Sequence, residues 1–305
     1  MKTVAPRKAA AGRRRRWIAH PYVNAPARNT CRAMLQLTAA SRGTIRNSTF
    51  TGSLDIGGIN SNVVLDGNTH NWDAVYSSGL NAKLYLGDAG SASLAAPSVT
   101  IKNSEFKNGD LDGIHLGDGS GYLILNNVFD NLCDRGTNHT DNLQFDTTPI
   151  TQTRIAGNYV HAAYSCETQG ITSYDHGTNG VIIENNVIDI RRPWGIELYS
   201  DVNSIVRHNT VVYYPGSQCF FNTPCGRIDI NRKSADPAGS GTQAYDNVAT
   251  VEFNNGSSGT AHHNVSSQTA VYVGPTTFHD GFLLAATSPV GRNSASDGTD
   301  AGVYR

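Results

Sequence analysis

The sequence predicts an all-β chain wound into a solenoid of short parallel strands, and three observations carry that reading. A six-residue phrase recurs along it: IRNSTF (45–50), IKNSEF (101–106), ILNNVF (124–129), IAGNYV (155–160), IENNVI (183–188) and VRHNTV (206–211). Each has apolar ends and an Asn or Ser at its fourth position. LDGNTH (65–70), AYDNVA (244–249) and AHHNVS (261–266) are degraded copies. A second phrase runs in phase with the first: DGIHL (112–116), DNLQF (141–145), QGITS (169–173), WGIEL (194–198) and GRIDI (226–230). The composition agrees, with 31 glycines and only 16% charged residues in 305, as a strand-and-turn chain requires.

The elements follow in order. The Asn or Ser falls at 48, 68, 104, 127, 158, 186, 209, 247 and 264, at intervals of 20, 36, 23, 31, 28, 23, 38 and 17 residues. Such scatter suits a rigid coil bearing loops of variable length. Two short strands per period leave no room for crossover helices, so the strands pair parallel from coil to coil. At the turn between strands, Asn tolerates left-handed geometry, and its amide reaches the Asn one coil away, about 4.8 Å along the stack.

The pattern resembles the right-handed parallel β-helix family typified by pectate lyases, over roughly 44–267. The ending FHDGFLLAATSPVGRNSASDGTDAGVYR also resembles the closing segment of many secreted bacterial proteins of that group. The resemblance implies a single-stranded right-handed parallel β-helix at 44–267, an irregular or flexible segment at 1–43, a capping segment at 268–305 and a monomer.

A net charge of −1 gives no electrostatic case for nucleic acid or a membrane surface as partner, and the Arg13 to Arg16 run reads as a solvated tail. No transmembrane segment is found. After Arg16 only Trp17-Ile18-Ala19 is apolar, which is not a clear signal peptide. Five cysteines point the other way, toward export to the cell surface or beyond: Cys219 with Cys225 and Cys133 with Cys166 are the expected disulfides, leaving Cys31.

Strand alternation locates the site. In DNLQF the apolar Leu143 and Phe145 point inward, so Asn142, Gln144 and Asp146 point outward. Applied to each coil, the rule builds an outer column of His115, Gln144, Thr172, Glu197 and Asp229. It is flanked by Gly117, Asp146, Tyr174, Tyr199 and Asn231 on one side, and by Gly113, Asn142, Gly170, Gly195 and Arg227 on the other. Glycines below an aromatic rim of Tyr174, Trp194 and Tyr199 would leave a shallow groove for sugar rings. His139 and Asp141 stand where the loop CDRGTNHT overhangs this face.

The resemblance implies a polysaccharide partner, with β-elimination on a uronate as the leading activity. That chemistry needs a cation on the sugar carboxylate, a base for the adjacent proton and an acid for the leaving oxygen. Arg227 and Lys233 supply charge; His139, His115 or Lys233 offers the base, Tyr199 or Tyr174 the acid, and Asp141 partners His139. Glu197 and Asp229, one coil apart, are the expected Ca²⁺ ligands. Gln144, His115, Tyr174, Trp194 and Arg227 are the substrate-binding set. GRIDINRKS (226–234) is loosely similar to the acidic strand of lyases acting on alginate and dermatan, but Arg227 occupies an acidic position and no Arg-His pair follows. Hydrolysis ranks second, since HTDN and GRID match only parts of the polygalacturonase motifs and the paired aspartates are missing. A non-catalytic glycan-binding solenoid is the third reading.

Overall fold

In the computed structural model, each phrase of the second repeat becomes one strand of a single parallel sheet: Asp112–Leu116, Asp141–Phe145, Gln169–Thr172, Trp194–Tyr199 and Arg227–Asn231. The structure describes residues 18–21, 33–37, 43–57, 62–73, 81–87, 98–117, 119–135, 139–146, 150–163, 165–233 and 235–305. Among these, three long sheets of ten, nine and seven strands form the sides of a prism. The first repeat supplies the other two sides. Leu123–Leu125 and Val128–Asp130, for example, lie on either side of the Asn126-Asn127 turn and belong to different sheets. The solenoid also begins earlier than expected. Ala33–Leu37 pairs parallel with Leu54–Ile56, and Ile18–Pro21 adds to it antiparallel, so the segment 1–43 contributes two strands to the ten-stranded sheet.

The core is what the alternation demands. Ile114, Leu116, Leu143, Phe145, Ile171, Ile196, Leu198, Ile228 and Ile230 stack in register inside the prism, all fully buried or nearly so. Each contributes about 1.5–3 kcal/mol of burial. Rings stack along the axis too: Phe106 lies 5.1 Å from Phe129, and His70 sits between Phe50 and Phe106 at 4.7 and 4.3 Å. Burial holds the His70 imidazole neutral, lowered to about 3.

The repeated Asn is a ladder. The amide oxygen of Asn186 accepts from the backbone N–H of Asn158 (3.0 Å) and from its side-chain amide (2.9 Å), while Asn186 in turn donates to Asn209 (3.0 Å) and to the Ile155 carbonyl (2.9 Å). The same geometry joins Asn127 to Asn158 and Asn209 to Asn247. The left-handed residue, however, is the one before it. Asn103, Asn126, Asn185, His208, Asp246 and His263 have φ between 51° and 58°. The turn strain and the ladder bond thus fall on neighbouring residues, not on one.

Both expected disulfides are present, Cys133 with Cys166 and Cys219 with Cys225; Cys31 lies outside the described residues. The closing segment does more than cover the last coil. Phe282 and Val303 pack with Tyr159, Val187 and Val212, while the backbone N–H of Gly302 and Val303 donate to the Asp246 carbonyl (2.8 Å) and the Thr210 hydroxyl (3.2 Å). It therefore ties several coils together along their turns.

Candidate active site

The register of the ten-stranded sheet sets Tyr85, His115, Gln144, Thr172, Glu197, Asp229 and Glu252 opposite one another on successive strands. This is the expected outer column, extended by Glu252 at one end and by Tyr85 at the other, where the register runs on to Asp55 and Gln36. Its floor is not an open wet surface: His115 is 2% exposed, Gln144 5%, Glu197 3% and Asp229 3%.

Two expectations about the rim need correction. Gly113, Gly170 and Gly195 do not lower the outer surface. A methyl group on Gly113 would strike the Phe129 ring at 2.8 Å, on Gly170 the Gly195 carbonyl oxygen at 2.0 Å, and on Gly195 the Val211 side chain at 2.3 Å. They are small because the chain there passes close to the core and to the next strand. Trp194, not Gly195, pairs with Arg227, because the strand carries a bulge at Gly195.

At the N-terminal end of the groove, carboxylates enclose His115. Its Nε2 hydrogen-bonds Asp112, and its Nδ1 lies 3.5 Å from Asp146. Burial alone would lower its pKa, but the two carboxylates raise it to about 10. His115 is thus a buried cation, not a base or an exposed substrate contact. Asp112 also accepts from the Asp141 backbone N–H (2.6 Å), which fixes the start of the next strand.

His139 is half-exposed, with Nδ1 3.5 Å from Asp141 Oδ2. The Asp141 carboxylate raises it to about 9, so at neutral pH it carries a proton and is a cation rather than a free base. Asp141 is raised to about 6 by burial. Its Oδ1 and the Thr172 hydroxyl are buried without a hydrogen-bond partner among the described residues, polar atoms left for a ligand.

The centre is built on Glu197. Burial, followed by the neighbouring Asp229 and Asp141 carboxylates, raises its pKa to about 7 despite a hydrogen bond from Tyr199 Oη at 2.9 Å. Burial also raises the Tyr199 phenol, followed by the Glu197 charge. Tyr199 meets Tyr174 edge-on at 4.8 Å, and Lys233 Nζ lies 3.8 Å over the Tyr174 ring and 3.1 Å from Asp175. Asp175 also accepts from Gln144 (3.0 Å), so one chain of contacts joins Lys233 to the floor. On the next strand Asp229, raised by burial, accepts from Asn254 (2.8 Å). Arg227 lies 3.5 Å from Glu252. Trp194 packs against Phe221 at 5.6 Å, with the Arg192 guanidinium 5.6 Å from its ring.

Calcium takes six to eight oxygen ligands. Among the described residues no third acidic or histidine donor converges with Glu197 and Asp229, so an ion held there would take its further ligands from carbonyls, amides or water. The structure gathers His139 with Asp141, and Tyr199 with Glu197, Tyr174 and Lys233, but it keeps Lys233 at the rim. Sequence reasoning missed Asp112 as a partner of His115, although it opens DGIHL as Asp141 opens DNLQF. It also missed Glu252 and the Asn254 that follows its strand, because Thr250–Phe253 carries no copy of the phrase.

The profile of the right-handed beta helix region family matches residues 35–211. This is more than half of the chain, which therefore belongs to that family. A search of curated proteins found no match.

Proposed function

We propose that the groove binds a polysaccharide and hydrolyses its glycosidic bonds, with Glu197 as general acid and Asp229 as its carboxylate partner. The observation that carries this is the pair itself: two outward carboxyls on adjacent strands, of which Glu197 is raised to about 7. A glycosidase needs one carboxyl that holds a proton at working pH and one that does not. Burial raises both carboxyls, Glu197 to about 7; at Asp229 the Asn254 hydrogen bond and the Arg227 charge oppose that rise and favour the ionised form. Tyr199 orients Glu197 by donating to it, so the remaining Glu197 oxygen is free to give its proton to the leaving oxygen. Retaining enzymes hold their carboxyls roughly 5–5.5 Å apart; with the two residues in register on strands about 4.8 Å apart, we assign the pair to that type. Asp229 is then the nucleophile, and the anomeric configuration is kept. Tyr174 and Trp194 supply flat faces for the sugar rings.

β-Elimination of a uronate is the second reading, favoured by the cations Arg227 and Lys233 beside the column. It ranks below hydrolysis because His139 is protonated at neutral pH and Lys233 is held by Asp175, which leaves neither as a ready base. The two disulfides support an exported location. The test is a polysaccharide panel read both for new reducing ends and for absorbance near 235 nm, the unsaturated-uronate band. Reducing ends without absorbance are expected. Absorbance rising with them would favour elimination, and silence in both would remove the enzymatic reading.

A further inference from the structure

Far from the groove, at the last turn of the nine-stranded sheet, three metal-ligating side chains converge. Donor atoms of Asp246, His262 and His263 all lie within 4.8 Å of one another, and the two histidine Nδ1 atoms are 2.8 Å apart. We propose that these residues form a transition-metal site that takes a divalent ion of the Zn²⁺, Ni²⁺ or Cu²⁺ class.

The backbone explains why neighbours in sequence share one spot. On a strand, adjacent side chains point to opposite faces. His263, at φ 53°, occupies the left-handed turn position that Asp246 and His208 hold on the two preceding coils. Its ring is thereby swung back beside that of His262, at 89° to it. The His262 ring is itself fixed flat on Tyr245, 4.9 Å between centroids and 8° between planes.

The carboxylate is also oriented. Asp246 is fully buried and accepts from the Ser296 N–H (2.7 Å) and hydroxyl, while His208 Nε2 lies 3.6 Å from its Oδ2. Donors behind a ligating carboxylate hold it toward an ion. Two nitrogens bound side by side to one ion at about 2.0–2.1 Å lie roughly 3 Å apart, close to the observed separation. Imidazole nitrogens select this class of ion over Ca²⁺ or Mg²⁺, which prefer all-oxygen sets. An ion there would clip the final coil to the preceding one and, through Ser296, to the closing segment.

The test is calorimetric titration of the untagged full chain with Zn²⁺, with Ni²⁺ and Ca²⁺ run in parallel. One Zn²⁺ per chain is expected, with a rise in melting temperature. His262→Ala and His263→Ala, both at exposed positions, should each weaken binding by at least about tenfold, whereas His176→Ala should not. Absence of stoichiometric Zn²⁺ binding would overturn the proposal. So would variants that bind as wild type while circular dichroism shows them folded, or Ca²⁺ binding as tightly and failing in the same variants.

Discussion

Replacing Glu197 with glutamine should make the folded protein more stable at pH 8 and no more stable at pH 4. The Glu197 carboxyl is raised from the ordinary 4.5 to about 7, chiefly by burial. Below pH 4.5 it is protonated in folded and unfolded chains alike and has no effect. Between 4.5 and 7 the folded chain holds the proton that the unfolded chain releases, so the stability of the wild type declines as pH rises. Above 7 the full cost is present. At about 1.4 kcal/mol per pH unit, that interval amounts to about 3 kcal/mol. Glutamine keeps the shape and still accepts from Tyr199, but it has no charge to bury. Urea unfolding of both proteins at pH 4, 6 and 8 would measure a difference growing from near zero to about 3 kcal/mol, with turnover lost throughout. An equal effect at all three pH values, or a variant that keeps its activity, would refute the reasoning.

Other consequences are as direct. Asn186→Ala strips acceptors from two Asn158 N–H groups and a donor from the Ile155 carbonyl; at about 1–3 kcal/mol for each buried group left unpaired, thermal unfolding should show a loss of about 4 kcal/mol. Gly170→Ala sets a methyl 2.0 Å from the Gly195 oxygen and should destabilise by several kcal/mol, on the order of an overpacked core, whereas Gly180→Ala, with open space at its Cβ but φ 64°, should cost about 1 kcal/mol. His139→Ala, at a half-exposed cation, should change melting little and lower kcat/KM by removing the partner of Asp141. The activity of the wild type should fall as pH rises through about 7, where Glu197 loses its proton, and Tyr199→Phe should shift that limb of the profile.

Much of the site was legible because the apolar period of two is strict. Once Leu143 and Phe145 were placed inside, Gln144 had to join His115, Thr172, Glu197 and Asp229, and the register bears this out. The glycines misled because alternation breaks where a strand bends. Gly195 is a bulge, and Gly113 and Gly170 face the core where the chain turns in from the preceding sheet. The ladder asparagines were assigned their structural role, but the left-handed residue lies one place earlier, a distinction that a motif of two adjacent polar residues hides. Burial of the column was invisible too, since outward orientation says nothing about what packs beside it. That burial turns Glu197 into an acid, whereas His115 and His139 become cations against it, through the carboxylates of Asp112, Asp146 and Asp141 beside them.

The most direct test of the account is the anomeric configuration of the first product, followed by proton NMR during digestion of whichever polysaccharide in the panel yields reducing ends. A Glu197–Asp229 pair one strand apart predicts retention, with activity absent from both Glu197→Gln and Asp229→Asn. Inversion, an unsaturated uronate product, or cleavage that survives either substitution would contradict the assignment of these two carboxyls.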